Sequence, residues 1–442
     1  MSKTFRAWDV DQAWLLPPSI HDFVPAGHAA HLVRDAVRES LDLSAILSVY
    51  GEARGQPPYH PAMMVALLLY AYSVGVYSSR RIAKACEERV DFMAVTGLQR
   101  PDFRTISDFR KRHLAALSGL FAQVLGLCRR AGLVKLGHVA LDGTKIKANA
   151  SKHKAMSYGR MVKAEARLGA EIANWFEQAA AADAAEDEAL GAEARGDEMP
   201  GWVADKAKRL AKIREAKAAL EAEAKAAAEA TRATQARAPK RPGPKPKPPS
   251  EVPGDKAQRN FTDPESRILK TKDGFIQGYN AQAAVDAEHQ IIVGHGLTSS
   301  TSDQSQLEPL VDDIETNLGR RPKEISADAG YCSEANLEAA AARGIKPYIA
   351  TGRQKHGQTA AVGARAPRAG GRVAAMAATL KRAGHRSRYR LRKQTVEPVF
   401  GHIKQARGFR QFLLRGRDKV AGEWAMICTA HNLAKLCVAR TA

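Results

Sequence analysis

From His28 onward, apolar residues return every three or four positions through HAAHLVRDAVRESLDLSAILSVY. That spacing predicts an amphipathic helix after an irregular arm over residues 1–27. The Pro-rich QPPYHP closes this first unit, because proline removes backbone donors and interrupts both helix and sheet. MMVALLLYAYSVGVYSSRRIAKACEERVDFMAVTG then reads as a buried helix, a turn at Ser78–Ser79 and a basic helix. The pattern continues through DFRTISDFRKRHLAALSGLFAQVLGLCRRAG, with Asp102 or Thr105 as the cap. This part of the chain is all-helical, with a candidate helix-turn-helix.

HVALDGTKIKANA changes the period: a short β-branched run that stops at Asp-Gly predicts a strand and a turn. Residues 152–235 are dominated by Ala, Glu, Lys and Arg, with Met161, Leu168, Ile172 and Trp175 at near-heptad spacing. After a break at GDEMPGW, a second run carries Leu210, Ile213 and Leu220, so a long helical hairpin of coiled-coil character is expected. ARAPKRPGPKPKPPSEVPG cannot form helix or sheet and reads as a disordered basic linker.

Sheet character resumes in GFIQGYNAQAAVD and HQIIVGHGLTSS. A helix over SQLEPLVDDIETNLG, a strand EISADAGY, a helix SEANLEAAAARG and a strand IKPYIAT follow. The order β, insertion, ββαβαβ predicts an α/β, RNase H-like domain, a mixed sheet flanked by helices, with the hairpin inserted after the first strand. Residues 352–385 read as irregular and mobile, a helix begins near Ser387, and EWAMICTAHNLAKLCVA is a final helix.

Composition narrows the class. The chain has 442 residues and a formal net charge of +21, a surplus that suits a polyanionic partner, since Lys and Arg displace condensed counterions from a phosphate backbone. A merely basic solvated surface is the plainer alternative. The five cysteines are widely spaced with no Cys-x-x-Cys pair, which argues against a disulfide framework or a zinc knuckle. The longest apolar run, around MMVALLLYAYSVGV, falls short of the roughly 20 residues that cross a bilayer, and the amino terminus lacks a signal peptide's apolar core. A cytoplasmic protein without a membrane partner is expected.

Three acids stand out by position: Asp142 at the end of the first strand, Asp328 at the end of ISADAGY, and Glu397 within a basic helix. Strand ends in such sheets gather ligands. Phosphodiester transfer by two metal ions needs carboxylates around ions roughly 4 Å apart, one ion activating the attacking oxygen and the other stabilising the leaving one. Magnesium suits such a set, with manganese able to substitute. Each acid also has a plain reading: a turn residue for Asp142 and Asp328, and an i, i+4 partner of Lys393 for Glu397. On a helix, Arg390, Lys393, Glu397 and Lys404 share one face, which would set a metal carboxylate among phosphate-gripping cations.

Other basic candidates lie in the helical region. Arg80, Arg81 and Lys84 would open a recognition helix, and Arg110, Lys111 and Arg112 form a second cluster beside Phe103 and Phe109, which read as core. Each cluster can equally be a solvated helix face. Tyr279 and Asn280 could position a phosphate or fix sheet packing, and Ser299 to Thr301 with Asp303 resemble a helix cap.

The blocks VALDGTKIKANAS, QRNFTDPESRILK with GFIQGYNAQAAVD, ISADAGYCS and KQTVEPVFGHIK resemble, in order, those of DDE transposases from bacterial insertion sequences. PPYHPAMMVALLLYAYSVGVYSSRRI and DFRTISDFRKRH resemble the InsH-type helical domain that precedes the catalytic domain there. The resemblance covers most of residues 8–150, 258–350 and 387–437. It implies a catalytic triad of Asp142, Asp328 and Glu397 on two ions, with Lys404 as the family's basic residue seven positions after the glutamate. Where many relatives have Tyr and Arg seven and four positions before that Glu, this chain has Arg390 and Lys393, with Tyr389 one position out of register.

A domain plan follows: a helical DNA-binding domain over 1–134, a catalytic domain over 135–150 and 255–442, a helical insertion over 151–238 and a linker over 239–254. The implied partners are double-stranded DNA, as terminal inverted repeats and target, and further copies of the chain in a dimer or larger synaptic assembly. The implied location is the bacterial cytoplasm, at the nucleoid. Two rivals stay open: a structure-specific nuclease of the same fold, and a DNA-binding protein that does not cut.

Overall fold

The computed structural model describes residues 19–51, 57–190, 201–237, 248–271, 274–352, 362 and 370–441. The first 18 residues of the arm expected over 1–27, most of the break at GDEMPGW and most of the Pro-rich linker lie outside them.

Seven helices come first: α1 (Ala29–Glu39), α2 (Ser44–Leu47), α3 (Pro61–Ser73), α4 (Ser79–Glu88), α5 (Val90–Thr96), α6 (Phe103–Arg112) and α7 (Leu114–Arg130). The Asp102 carboxylate caps α6 by accepting from Arg104 N at 2.7 Å and Thr105 N at 3.2 Å. Helix α3 is buried along nearly its whole length, as its uniformly apolar sequence requires. The expected buried helix and basic helix are α3 and α4, joined by a short connection, and α4 packs chiefly on α5 and α6.

The sheet begins with β1 (His138–Lys147). After it come β2 (Ala155–Ser157), the long helices α8 (Tyr158–Leu190) and α9 (Gly201–Arg237), and β3 (Gln258–Asn260), which pairs with β2. Then follow β4 (Arg267–Thr271), β5 (Gly274–Asp286), β6 (Ile292–Thr298), α10 (Leu307–Leu318), β7 (Glu324–Ala327), α11 (Glu334–Ala342) and β8 (Lys346–Ile349). Helices α12 (Arg372–Ala383), α13 (Leu391–Gly401) and α14 (Arg417–Thr441) complete the chain. Helix α12 occupies the second half of the stretch whose composition suggested an irregular, mobile segment. Residues 353–361 and 363–369 lie outside the described residues.

The main sheet is mixed. Strand β1 is antiparallel to β5 and parallel to β7, β5 carries both β4 and β6, and β8 lies parallel to β7 at the far edge. The Asp-Gly after Leu141 is not a turn. Strand β1 runs straight through it, with Asp142 opposite Ala283 and Gly143 opposite Gln282, because the 13-residue β5 goes on pairing beyond that point. What ends at Leu141 is the pairing with β7, so Asp142 sits where the parallel neighbour leaves the sheet.

Helix α14 ties the two halves together. It lies against α3 and α7 on one side and β6 on the other, within one buried core reaching from Val24 to Cys437. Asn432 holds β6 through both backbone groups of Ile292, at 2.9 and 2.8 Å, and Trp424 Nε1 donates to Gln282 O at 2.9 Å. The helical hairpin has its own small core of Met161, Leu168, Leu210, Ile213 and Leu220. Glu165 braces it by accepting from Arg214 and Lys217, and Glu223 on α9 anchors it to the sheet by accepting from Arg259 and Arg267.

Gly278 marks the tightest point of the β1–β5 pair. A Cβ there would run into the Ile146 carbonyl, a backbone atom that cannot step aside. Gly278→Ala is expected to cost on the order of 1–3 kcal/mol of overpacking strain, read as a lower denaturant midpoint. An unchanged midpoint would show that the strands part without cost.

Candidate active site

Asp142, within β1, and Asp328, just past the end of β7, lie at the same level of adjacent parallel strands. Asp142 Oδ1 accepts the Gly143 N–H at 2.9 Å. Asp328 caps the short 3₁₀ turn Ala329–Tyr331 by accepting from Gly330 N at 2.8 Å. Glu397 comes from the opposite direction, on α13, which packs over β1, β5 and β7.

Helix α13 owes its position to two irregularities. The short 3₁₀ turn Arg388–Arg390 precedes it, with Ser387 Oγ accepting from Tyr389 N. Pro398 within it leaves the Gln394 carbonyl without its helical donor, and Gln290 Nε2 fills that place at 2.9 Å. A π-turn over His402–Ala406 then swings Lys404 inward, where its Nζ donates to Lys145 O on β1 at 2.9 Å.

The residue that joins the acids is Arg392. One of its nitrogens lies 2.5 Å from Asp142 Oδ2 and the other 3.1 Å from Glu397 Oε1. Asp142 and Arg392 are 15% and 13% exposed while Glu397 is 48% exposed, so the pair is sunk in the sheet and the glutamate forms the open rim. Glu397 therefore pairs with Arg392 and not with Lys393, the partner its i, i+4 spacing suggested. Tyr389 stands beside the same guanidinium, 6.0 Å from ring centre to Cζ. A Tyr and an Arg three residues apart do face the acids, but they are Tyr389 and Arg392, both one position nearer the amino terminus than the positions of Arg390 and Lys393.

Electrostatics mark the two aspartates out. Burial pushes the Asp142 carboxyl up to about 7, with Asp328 and Asp303 adding in the same direction and Arg392 pulling against them. Asp328 is raised by burial too, opposed by the Gly330 N–H and by Arg392. Burial lowers the Lys404 ammonium, and the Asp142 charge partly restores it.

The basic candidates divide. Arg80, Arg81, Lys84, Lys111, Arg112, Arg390 and Lys393 are exposed. Arg110 is a correction: it is buried, donating to Tyr72 Oη at 3.0 Å and Tyr77 O at 3.1 Å, and so cannot reach DNA. Its place in the run RKR suggested a surface, but it falls on the inward side of α6 next to Phe109. Phe109 is buried as expected, whereas Phe103 is half-buried under Arg80 and Arg104. Tyr279 is a core residue whose hydroxyl donates to Asp263, and Asn280 faces the acids through Asp303. Asp303 is not a cap: α10 starts later, at Leu307 after Gln306.

Residues 18–112 match a transposase domain family (DUF772), and residues 240–433 match the transposase DDE domain family. The second match contains Asp328 and Glu397, while Asp142 lies between the two. No curated protein and no solved structure shows a significant match to the chain. The paired domains define a transposase, a protein of DNA transposition and recombination. The chain belongs to the DDE transposases of insertion sequences. Membership implies DNA binding and nuclease chemistry, and DDE transposases in general use divalent metal ions. Among the described residues no helix is long and apolar enough to cross a membrane.

Proposed function

We propose that this transposase hydrolyses a phosphodiester at each end of its element and then joins the freed 3′-hydroxyl to target DNA, using Asp142, Asp328 and Glu397. The observation that carries this reading is that Asp142, on β1, and Glu397, on α13, meet on the Arg392 guanidinium, with Asp328 at the end of β7 near enough to feel the same charge. The strand order β6-β5-β1-β7-β8, antiparallel on one side of β1 and parallel on the other, supports an RNase H-like catalytic domain over 135–150 and 255–442. Residues 1–134 would then be the DNA-binding domain, 151–238 an insertion and 239–254 its linker.

The donor set fits a hard divalent ion: carboxylates only, already gathered about a positive charge. Two magnesium ions, replaceable by manganese, would supply activation of the attacking oxygen and relief of charge on the leaving one. Among the described residues no three acidic, histidine or cysteine side chains stand close enough to share an ion while Arg392 bridges them. Arg392 is proposed to release at least one acid when the ions bind, its guanidinium then taking a DNA phosphate beside the cut. Lys404, held next to Asp142, is proposed to grip the strand on the other side. Arg80, Arg81, Lys84, Lys111, Arg112, Arg390 and Lys393 are proposed phosphate contacts that set register without reading sequence. Because two element ends must be held together, the working form is proposed to be a homodimer or larger, placed at the bacterial nucleoid.

A labelled duplex carrying the element's own terminal repeat, incubated with magnesium or manganese, tests the reading. Wild type should nick at the repeat boundary and Glu397→Gln should bind without nicking. Binding without nicking by wild type as well would leave a DNA-binding protein that does not cut.

A further inference from the structure

Behind the two aspartates lies a fourth acid that the triad does not include. Asp303, in the connection from β6 to α10, takes Asn280 Nδ2 at 2.6 Å and Gln282 Nε2 at 2.7 Å, both on the same oxygen, Oδ1. Asn280 and Gln282 are buried on β5, and Gln282 also accepts the hydroxyl of buried Tyr331 in the turn after Asp328. Trp424 fixes the same strand from behind. The arrangement is rigid and reaches both aspartate segments.

Its fit is close. A Cβ on Gly143 would lie 2.7 Å from Asp303 Oδ1, and one on Gly330 would lie 3.1 Å from Asp303 Oδ2. The carboxylate thus fills the space left by the two glycines that follow Asp142 and Asp328. An asparagine there could accept both amide bonds equally well, so hydrogen bonding alone does not call for an acid. Set against the glycines next to Asp142 and Asp328, its negative charge lies beside two other partly buried carboxylates and is unfavourable there. Arg392 offsets part of that crowding through Asp142, and a bound divalent ion would offset the rest.

We propose that Asp303 is a positioning residue of the metal site, placing a fourth negative charge behind Asp142 and Asp328 so that a divalent ion is held more tightly. This rests on the metal reading given above. Outer carboxylates of this kind typically change metal affinity by about 10–100-fold.

The test uses the full chain and manganese alone, counting unbound Mn²⁺ by its electron paramagnetic resonance signal. Asp303→Asn should weaken Mn²⁺ binding by about tenfold or more. Its melting temperature without metal should hold or rise, because a like charge has been removed. Wild-type Mn²⁺ affinity in Asp303→Asn, with binding lost in Asp142→Asn, would overturn this inference and leave the metal site standing. Undiminished binding in Asp142→Asn as well would overturn the metal site and this inference together. A melting temperature lowered in step with affinity would assign Asp303 to the fold instead. If Asp303→Asn does not fold, Asp303→Ser carries the same comparison, its two amides being left to water.

Discussion

Asp142→Asn is expected to cut the rate of metal-dependent strand cleavage roughly a thousandfold or more while leaving retention of terminal-repeat DNA unchanged. The size follows from the several kcal/mol of transition-state charge stabilisation that a metal clamp supplies, at about 1.36 kcal/mol per decade of rate. Asparagine keeps the shape and can still accept the Gly143 N–H, but its amide nitrogen then faces Arg392 and that ion pair is lost. It also removes an acid that burial holds up to about 7, which offsets part of the cost of unpairing Arg392, and Glu397 keeps the guanidinium paired. Single-turnover cleavage and filter retention on the same duplex separate the two effects. A variant that cleaves at the wild-type rate removes Asp142 from the chemistry.

Glu423→Ala is expected to have the largest effect on folding. This glutamate is completely buried on α14 and accepts the backbone N–H groups of Leu413 and Leu414, at 3.0–3.1 Å. Arg110 lies near enough for its charge to act on it. Alanine would leave two buried donors unpaired and the Arg110 cation uncompensated, a loss of about 3–5 kcal/mol where helical region and sheet meet. Denaturant unfolding reads it directly, and a change below about 1 kcal/mol would show that water replaces the carboxylate.

The same residue carries a pH signature. Burial raises the Glu423 carboxyl from the usual 4.5 to about 7, so the folded chain holds this proton more tightly than the unfolded one. The resulting stability is fully present below about 4.5 and is lost as pH rises through 7. Asp142 acts in the same sense, so the contribution of Glu423 is the difference between wild type and Glu423→Gln. Glutamine should be the more stable of the two at pH 8 relative to pH 5, and parallel curves would assign the pH dependence elsewhere.

Local pattern was enough for most elements. Strands β5 to β8 with α10 and α11, the cap at Asp102 and the hairpin residues Met161, Leu168, Leu210, Ile213 and Leu220 all follow from periodicity, because these segments bury one face or one stripe. The short strands β2, β3 and β4 carry too few residues to show a period, and α12 was hidden by a composition of Ala, Arg and Gly. The three acids were visible because each lies in a short block whose order along the chain is distinctive.

Arg392 was not visible, since RYRLRK offers four cations within six positions and only the 3₁₀ turn before α13 decides which one turns inward. Arg110 misled for the same reason, one arginine of RKR being the one that faces the core. Asp303 gave a local reading as a helix start because nothing nearby hints at Asn280 and Gln282, whose amides reach it from another strand. By itself the sequence determined most of the elements and the basic character and pointed to the three acids, since those readings depend on neighbours along the chain. Only the tertiary structure decided which cations meet those acids and which acid stands behind them, because such contacts join β1, β5, β7 and α13, up to 250 residues apart.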